Sequence, residues 1–304
     1  MRARIAIMTA RPGWHGRRLA AAFAAVGVAT RFASLADCRV DLEANRHGIV
    51  IPGFRDGLPD GVFVREIAAG TFEQVTFRLA ILHALAEWGV PVYNTARAIE
   101  RSVDKSMTSM LLRRAGLATP ATWAAEQAAS VRGALMRESA RGERLVLKPL
   151  FGSRGKGLRR LGAGDALPDA ADCNGVYYLQ RFVDTAPEDA RDYRVFVIGG
   201  NAVAAMTRQG PGWVHNVAQG ARCAAAPLRD ELCDLAERAA RAIGLDHAGV
   251  DLMRGRDGIP VVLEVNGIPA WQGLQSVVQV DIAARLAQDF VQRRLAAAGE
   301  VRAS

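Results

Sequence analysis

The chain has 304 residues, is 50% hydrophobic and carries a formal net charge of +8. That length supports a sizeable core and two or three domains, and no stretch approaches the roughly 18 apolar residues of a membrane span. Its 39 basic residues are mostly scattered arginines, with no run and no recognised module to mark a nucleic-acid binder.

The elements alternate from the start. "RIAIMTA" and "GRRLAAAFAAVGV" predict strand, loop and helix. The apolar run Ile5 to Met8 is too short for the core of a signal peptide and fits a first buried strand. "GIVIPG" and "GVFVREI" predict second and third strands. Apolar residues Phe72, Val75, Leu79, Leu82, Leu85 and Trp88 recur at helical spacing up to a stop at Gly89, and "VPVYN" follows as a strand. This alternation predicts a parallel α/β sheet over residues 1–98. Beyond it, Asp104 is placed to cap "KSMTSMLLRRAG". "RLVLKPL" and "GVYYLQRFV" are β-rich, "DYRVFVIGGNAVAAMTR" is a hairpin turning at Gly199-Gly200, "LRDELCDLAERAARAIG" is an amphipathic helix, and "SVVQVDIAARLAQDFVQRRLA" is a closing helix. The second half is therefore expected to be α+β. Cys38, Cys173, Cys223 and Cys233 lack metal-type spacing and are expected to be reduced thiols of a cytoplasmic protein.

In "VDLMRGRDGIPVVLEVNG" the Asp257-Gly258 turn sets a register that pairs Val250 with Val265, Asp251 with Glu264 and Leu252 with Leu263. Asp251, Glu264 and Asn266 then share one face, with two carboxylates about 5 Å apart at Cβ, where like charges repel. Two readings stay open: a solvated polar face, or an all-oxygen site for Mg²⁺ or Mn²⁺.

"KPLFGSRGKG" offers Gly152, Gly155 and Gly157 for close approach of backbone N–H groups to an anion; a plain mobile turn is the alternative. It matches neither a P-loop nor a dinucleotide fingerprint. Lys148 stands in an apolar strand, where its charge demands an anionic partner. Lys105 lies in a first helical turn, where a cation is disfavoured, although a surface lysine tolerates the position.

Taken in order, "VYN…AIERSVDK", "LLRRAGLATPAT", "VLKPLFGSRGKG", "YYLQRFV", "DYRVFVIGG", "HAGVDLM" and "LEVNGIP" resemble the ATP-grasp superfamily, and more closely the RimK-type glutamate ligases. The resemblance implies an N-terminal pre-ATP-grasp α/β domain (1–98), a central lid subdomain (99–183) and a C-terminal α+β subdomain with the metal site (184–304). It implies ATP and two Mg²⁺ ions as ligands, with Mn²⁺ as a possible substitute. Lys105 and Lys148 would contact phosphates under the loop that includes Gly152, Ser153, Gly155 and Gly157. Gln180, Arg181 and Val183 would hold adenine, Gln180 standing where such families usually carry glutamate. Asp192, with Arg194 beside it, would accept from the ribose. Asp251, Glu264 and Asn266 would ligate the metal, and Arg208 and Asn216 would serve the acyl-phosphate step with Lys148. His215, in a Val-His-Asn pattern where relatives commonly carry Ser-Asn, is either a pocket residue or a loop histidine. Trp213 is a lid side chain or packing.

The expected chemistry is carboxylate–amine ligation through an acyl phosphate, adding glutamate to a small-molecule acceptor such as a pterin- or furan-type one-carbon cofactor. Homo-oligomers are expected, with neither a nucleic-acid nor a membrane partner. The alternatives are a ligase of another amino acid, a ligase of a ribosomal or carrier protein, a nucleotide-binding regulator without turnover, and a basic nucleic-acid binder.

Overall fold

The apolar run that opens the chain is fully buried, with Ile5, Ala6, Ile7 and Met8 all at zero exposure. A strand apolar at every position belongs inside a parallel sheet covered on both faces. In the computed structural model, which describes residues 3–55, 57–152, 155–186 and 190–296, the first elements are β1 (Arg4–Met8), α1 (Gly13–Ala25), β2 (Ala29–Ala33), β3 (Arg39–Val40), β4 (Ile49–Val50), β5 (Gly61–Val64), α2 (Phe72–Glu87), β6 (Val92–Tyr93) and α3 (Ala96–Val103). β2, β1, β5 and β6 form a parallel sheet in that order. α2 starts where Thr71 and Gln74 cap each other reciprocally and stops before Gly89, whose φ is +72°.

"GIVIPG" departs from expectation. β4 pairs antiparallel with β3 in a separate two-stranded ribbon and takes no place in the parallel sheet. Residues 41–48 return the chain directly to β3, so the local hairpin captures the strand; Asp41 N–H donates to the Gly48 carbonyl at its base.

The chain divides into two compact units, Met1–Ile99 with Leu245–Ala248 and Gly267–Ser304, and Glu100–Gly244 with Gly249–Asn266. The second contains α4 (Lys105–Arg114), β7 (Thr122–Ala125), α5 (Ala128–Ala140), β8 (Leu145–Lys148), β9 (Arg159–Leu161), β10 (Tyr177–Arg181), β11 (Asp192–Ile198), β12 (Asn201–Gln209), β13 (Arg222–Ala225), α6 (Asp230–Ile243), most of β14 (His247–Arg254), and β15 (Pro260–Asn266). It has two sheets, ordered β7-β10-β8-β9 and β13-β12-β11-β14-β15. Asp104 caps α4 by accepting from the N–H groups of Ser106 and Met107. Gly199 and Gly200, at φ +61° and +86°, turn β11 into β12.

The closing segment, α7 (Gln272–Gln275) and α8 (Ile282–Phe290), belongs to the first unit, although the sequence reading groups it with the C-terminal subdomain. Its helix is shorter than expected and starts at Ile282, because Asp281 caps there by accepting from Ala284 N–H. No helix among the described residues is long and apolar enough to cross a membrane.

Candidate active site

A cleft of about 140 Å³ opens between the two sheets of the second unit. The small sheet supplies Lys148 at the end of β8 and Gln180 on β10. The Lys148 ammonium donates to Gln180 Oε1 at 2.6 Å. The amide continues a polar chain: its Nε2 lies 3.4 Å from the Tyr178 hydroxyl, which is 2.8 Å from Ser109 Oγ. Burial pushes the Lys148 ammonium down to about 8, against the upward pull of Glu264. A neutral amide beside it leaves the positive charge uncancelled and directed at the cleft.

Lys105 reaches in from the first turn of α4. It donates to the Gly152 carbonyl at 2.9 Å and lies 3.7 Å from Glu264 Oε1. It thereby ties the glycine loop to the carboxylate side. On the far side of that loop Gln219 Nε2 donates to the Gly155 carbonyl at 2.8 Å. Gly155 needs to be glycine twice over: its φ is +66°, and a Cβ there would meet Gln219 Nε2 at 2.9 Å and Val214 Cγ1 at 3.0 Å.

Besides Glu264 on β15, the large sheet supplies two arginine–carboxylate forks. Asp192 and Arg208 are opposite each other on β11 and β12 and form a bidentate pair, both contacts 2.7 Å. Arg194 makes the same fork with Asp251 of β14, again at 2.7 Å twice, and Arg208 also lies 3.1 Å from Asp251 Oδ2. Burial acts to raise the Asp251 carboxyl, but Arg194 and Arg208 outweigh it and hold the group below the usual carboxylate range. Burial pushes Asp192 up, with the Arg208 hydrogen bonds opposing it. Both oxygens of Asp192 are thus taken by Arg208 in this structure.

The final hairpin keeps the expected pairs Val250–Val265 and Asp251–Glu264, but Leu252 faces Val262, not Leu263. A β-bulge between Asp251 and Leu252 is the cause; it places the apolar Leu263 beside Glu264 on the cleft wall, with Met253. Strict alternation buries Leu263 with Val250, and that expectation is corrected: Val250, Leu252, Val262 and Val265 are the fully buried set. Asp251 and Glu264 do face each other, and their repulsion is offset here by Arg194, Arg208 and Lys105.

Among the described residues no three His, Cys, Asp or Glu side chains are placed to hold a metal ion by themselves. The oxygen side chains that could hold one with help are Asp251 and Glu264 on the cleft, with Asn266 two residues further along the strand, whose Nδ2 donates to the Gly249 carbonyl at 3.3 Å. Two carboxylates and an amide oxygen, completed by phosphate oxygens, suit a hard divalent cation.

Lys105, Lys148, Gly152, Gly155, Gln180, Arg181, Val183, Asp192, Arg208, Asn216, Asp251 and Glu264 all line the cleft, as do Trp213 and His215. Arg194 reaches it through Asp251, and Gly157 borders a smaller hollow behind Lys148. Ser153 lies outside the described residues. Sequence reasoning missed Val146, Leu158, Phe182, Met253 and Leu263, which give the cleft its apolar walls; single apolar residues in strands carry no separate signal.

The segment after β12 is locally determined. His215 is buried, and its Nδ1 accepts from Gly210 N–H at 3.0 Å. Burial, then Arg208, pushes its pKa down, so the ring is neutral with its proton on Nε2. Asn216 Oδ1 accepts from Ala218 N–H at 2.9 Å and caps a short 3₁₀ turn. Trp213 packs edge-on to Phe182 at 5.9 Å, and the Arg160 guanidinium covers both rings.

The chain is similar to known proteins along nearly its whole length. Residues 102–290 match the RimK-like ATP-grasp domain, and residues 3–99 match the RimK PreATP-grasp domain. It is 34% identical over 248 residues to a tetrahydromethanopterin:alpha-L-glutamate ligase of Methanosarcina acetivorans, covering 71% of this chain and 74% of that protein. The like-named ligase of Methanocaldococcus jannaschii is 35% identical over 241 residues, 77% of this chain and 79% of that protein. A probable alpha-L-glutamate ligase 2 of Shewanella frigidimarina is 31% identical over 287 residues, covering 92% and 93%. Among solved structures, the ATP-grasp ligase PsnB with a precursor variant, Mg and ADP superposes with a TM-score of 0.74 over 96% of this chain and 98% of that one, at 23% identity. The D-cycloserine synthetase DcsG superposes at 0.71 over 96% and 99%, at 21% identity. At that identity the structures speak for the fold.

Proposed function

Since the chain belongs to the RimK-like ATP-grasp ligases, we propose that it adds L-glutamate to the carboxylate of a pterin-type small-molecule acceptor. The observation that carries the reading is the convergence of Lys105, Lys148 and Arg208 with Asp251 and Glu264 on one cleft. Three cations suit a triphosphate, and two carboxylates suit the metal that accompanies it. The glutamate relatives, two of them named for tetrahydromethanopterin, support the choice of substrates.

In this reading Lys105 and Lys148 hold the phosphates from the lid side, and Gln180, Arg181 and Val183 take the base. Phe182, Met253 and Leu263 supply apolar surface for its ring. Asp251, Glu264 and Asn266 hold two Mg²⁺ ions, with Mn²⁺ as a substitute. Bound there, the metal neutralises charge on the transferring phosphoryl group.

A carboxylate oxygen of the acceptor attacks the γ-phosphorus, and the bond to the ADP oxygen breaks. Arg208 is placed for the charge on the phosphoryl oxygens, and its fork with Asp192 fixes its orientation. The glutamate amine then attacks the acyl carbon, phosphate departs, and the amine protons pass to phosphate and solvent. His215 has its Nδ1 lone pair engaged, so it presents an N–H donor to the cleft and is no base. Asn216 Nδ2, its oxygen already committed to the cap, is a second donor. The Trp213–Phe182–Arg160 stack at the cleft wall excludes water from the acyl phosphate.

The test is ADP release with Mg²⁺, L-glutamate and a panel of carboxylate acceptors, followed by mass spectrometry of the products. A ligase gives ADP only when a matching acceptor is present, and the product gains one glutamyl residue. Release that needs a ribosomal or carrier protein instead moves the acceptor to that class. ATP binding with no acceptor-dependent release contradicts the reading.

A further inference from the structure

The parallel sheet of the first unit has its own topological switch point. With the strand order β2-β1-β5-β6, β1 leads through α1 outward to β2, whereas β5 leads through α2 outward to β6. The connections therefore diverge between β1 and β5, and ligands of open α/β sheets bind at such a point, outside the carboxyl ends of the strands. Arg65 sits there, the first residue past β5, with its N–H donating to the Met8 carbonyl at the end of β1.

Its guanidinium is poorly partnered. Among the described residues its hydrogen bond is one long contact, 3.4 Å, to the Ile268 carbonyl, and it lies 5.2 Å over the Trp271 ring. Among the described residues no carboxylate lies within ion-pair distance of it. The adjacent Glu66 pulls the Arg65 pKa upward against burial, but its Oε2 is engaged elsewhere, accepting from Ala10 N–H and lying 3.0 Å from the Thr9 hydroxyl. The other titratable neighbours, His15 and His247, are both pushed well below the usual histidine range by burial and then by Arg65 itself. Burial also pushes Arg65 down, to about 10.

Arg78 shows how this chain settles a buried arginine that has no such task. It is 7% exposed and donates to the Ala68 carbonyl at 2.6 Å and the Ala69 carbonyl at 3.3 Å, stapling the loop that follows Arg65. Nothing equivalent closes around Arg65. Next to it, His15 Nε2 accepts from the Trp271 backbone N–H at 3.1 Å, which leaves the ring proton on Nδ1 as a donor. The His15 and Trp271 rings are 4.5 Å apart, with Trp14 edge-on to both.

We propose that this switch point is a carboxylate-binding site, with the Arg65 guanidinium as the anion's charge partner, His15 as a second donor and the tryptophans as an apolar wall. A planar guanidinium matches a carboxylate bidentately. The assignment of that carboxylate to a substrate rests on the ligase reading: it comes either from the incoming amino acid or from the acceptor.

Calorimetric titration of the full chain without ATP distinguishes these sources, using L-glutamate and, separately, pteroylglutamate as probes. Saturable binding of free glutamate assigns the site to the amino acid; binding of pteroylglutamate alone assigns it to the acceptor. In either case Arg65→Gln is expected to weaken binding at least tenfold, and Arg65→Lys to restore part of it. Tryptophan fluorescence of the unaltered protein, read during the same titrations, should change with saturation because Trp14 and Trp271 pack against His15 and Trp271 against Arg65, and this readout stands even if a variant fails to fold. Binding of neither probe, or binding that Arg65→Gln leaves unchanged, overturns the proposal. Glutamate binding at Arg65 in a protein that never releases ADP would leave the site standing and remove the ligase reading.

Discussion

Lys148 donates its proton to an amide oxygen, that of Gln180, at 2.6 Å, and no carboxylate takes the ammonium at ion-pair distance among the described residues. With burial holding the Lys148 pKa at about 8, its charge is lost as pH rises through that value. Nucleotide binding needs the charged form, so the ATP dissociation constant should be flat below pH 8 and climb toward tenfold per pH unit above it. Fluorescence titration of ATP between pH 6.5 and 9.5 checks this. Lys148→Gln should bind weakly with no such step.

Gln180→Glu should place a carboxylate where the amide accepts now. The new negative charge raises the Lys148 pKa and moves the step in ATP affinity above pH 8. A profile identical to the parent would show that residue 180 does not set the charge of Lys148.

Asp192 and Arg208 form a buried pair, 9% and 4% exposed at the side chain. Removing the Asp192 charge leaves Arg208 with Asp251 alone, a carboxylate that Arg194 already holds in a fork. Asp192→Asn should therefore cost about 3 kcal/mol of stability in denaturant unfolding, within the range for a broken buried pair. It should also slow acceptor-dependent ADP release by loosening Arg208.

His247 is buried in a ring stack, 4.9 Å from Tyr93 and 5.4 Å from Phe63, with no hydrogen-bond partner for Nδ1 among the described residues. Burial lowers its pKa from 6.5 to about 3. Between those values the unfolded chain holds a proton that the folded chain refuses, so stability falls as pH drops from 6.5 toward 3, by about 1.4 kcal/mol per unit for this group. His247→Phe should keep the stack and shift the acid-unfolding midpoint to lower pH, as read by circular dichroism.

The N-cap at Asp104, the Gly-Gly turn and the Asp251–Glu264 pair were all legible in the sequence, because each is fixed by local turn and capping chemistry. Leu263 was not: one inserted residue in a ladder turns a side chain to the other face, and periodicity carries no mark of it. β4 was read as a sheet strand because its apolar run looks the same whichever partner captures it. The twin forks were equally hidden: Arg194–Asp251 joins residues 57 apart and depends on the sheet order, and Arg208–Asp192 depends on a register shift between Phe196 and Val197 in the β11–β12 hairpin. Sequence named all four residues and paired none of them.

The central claim is that the acidic pair of the last hairpin, with Asn266, grips metal-loaded ATP. The most direct test is the ATP dissociation constant measured with and without Mg²⁺, in the parent and in Glu264→Gln. The Glu264 side chain is one-third exposed and Lys105 keeps its hydrogen bond to the Gly152 carbonyl, so the substitution should not disturb the fold. Tight binding that requires Mg²⁺ in the parent, and loses that requirement in Glu264→Gln, is the predicted result. Affinity indifferent to Mg²⁺ in both proteins would contradict it.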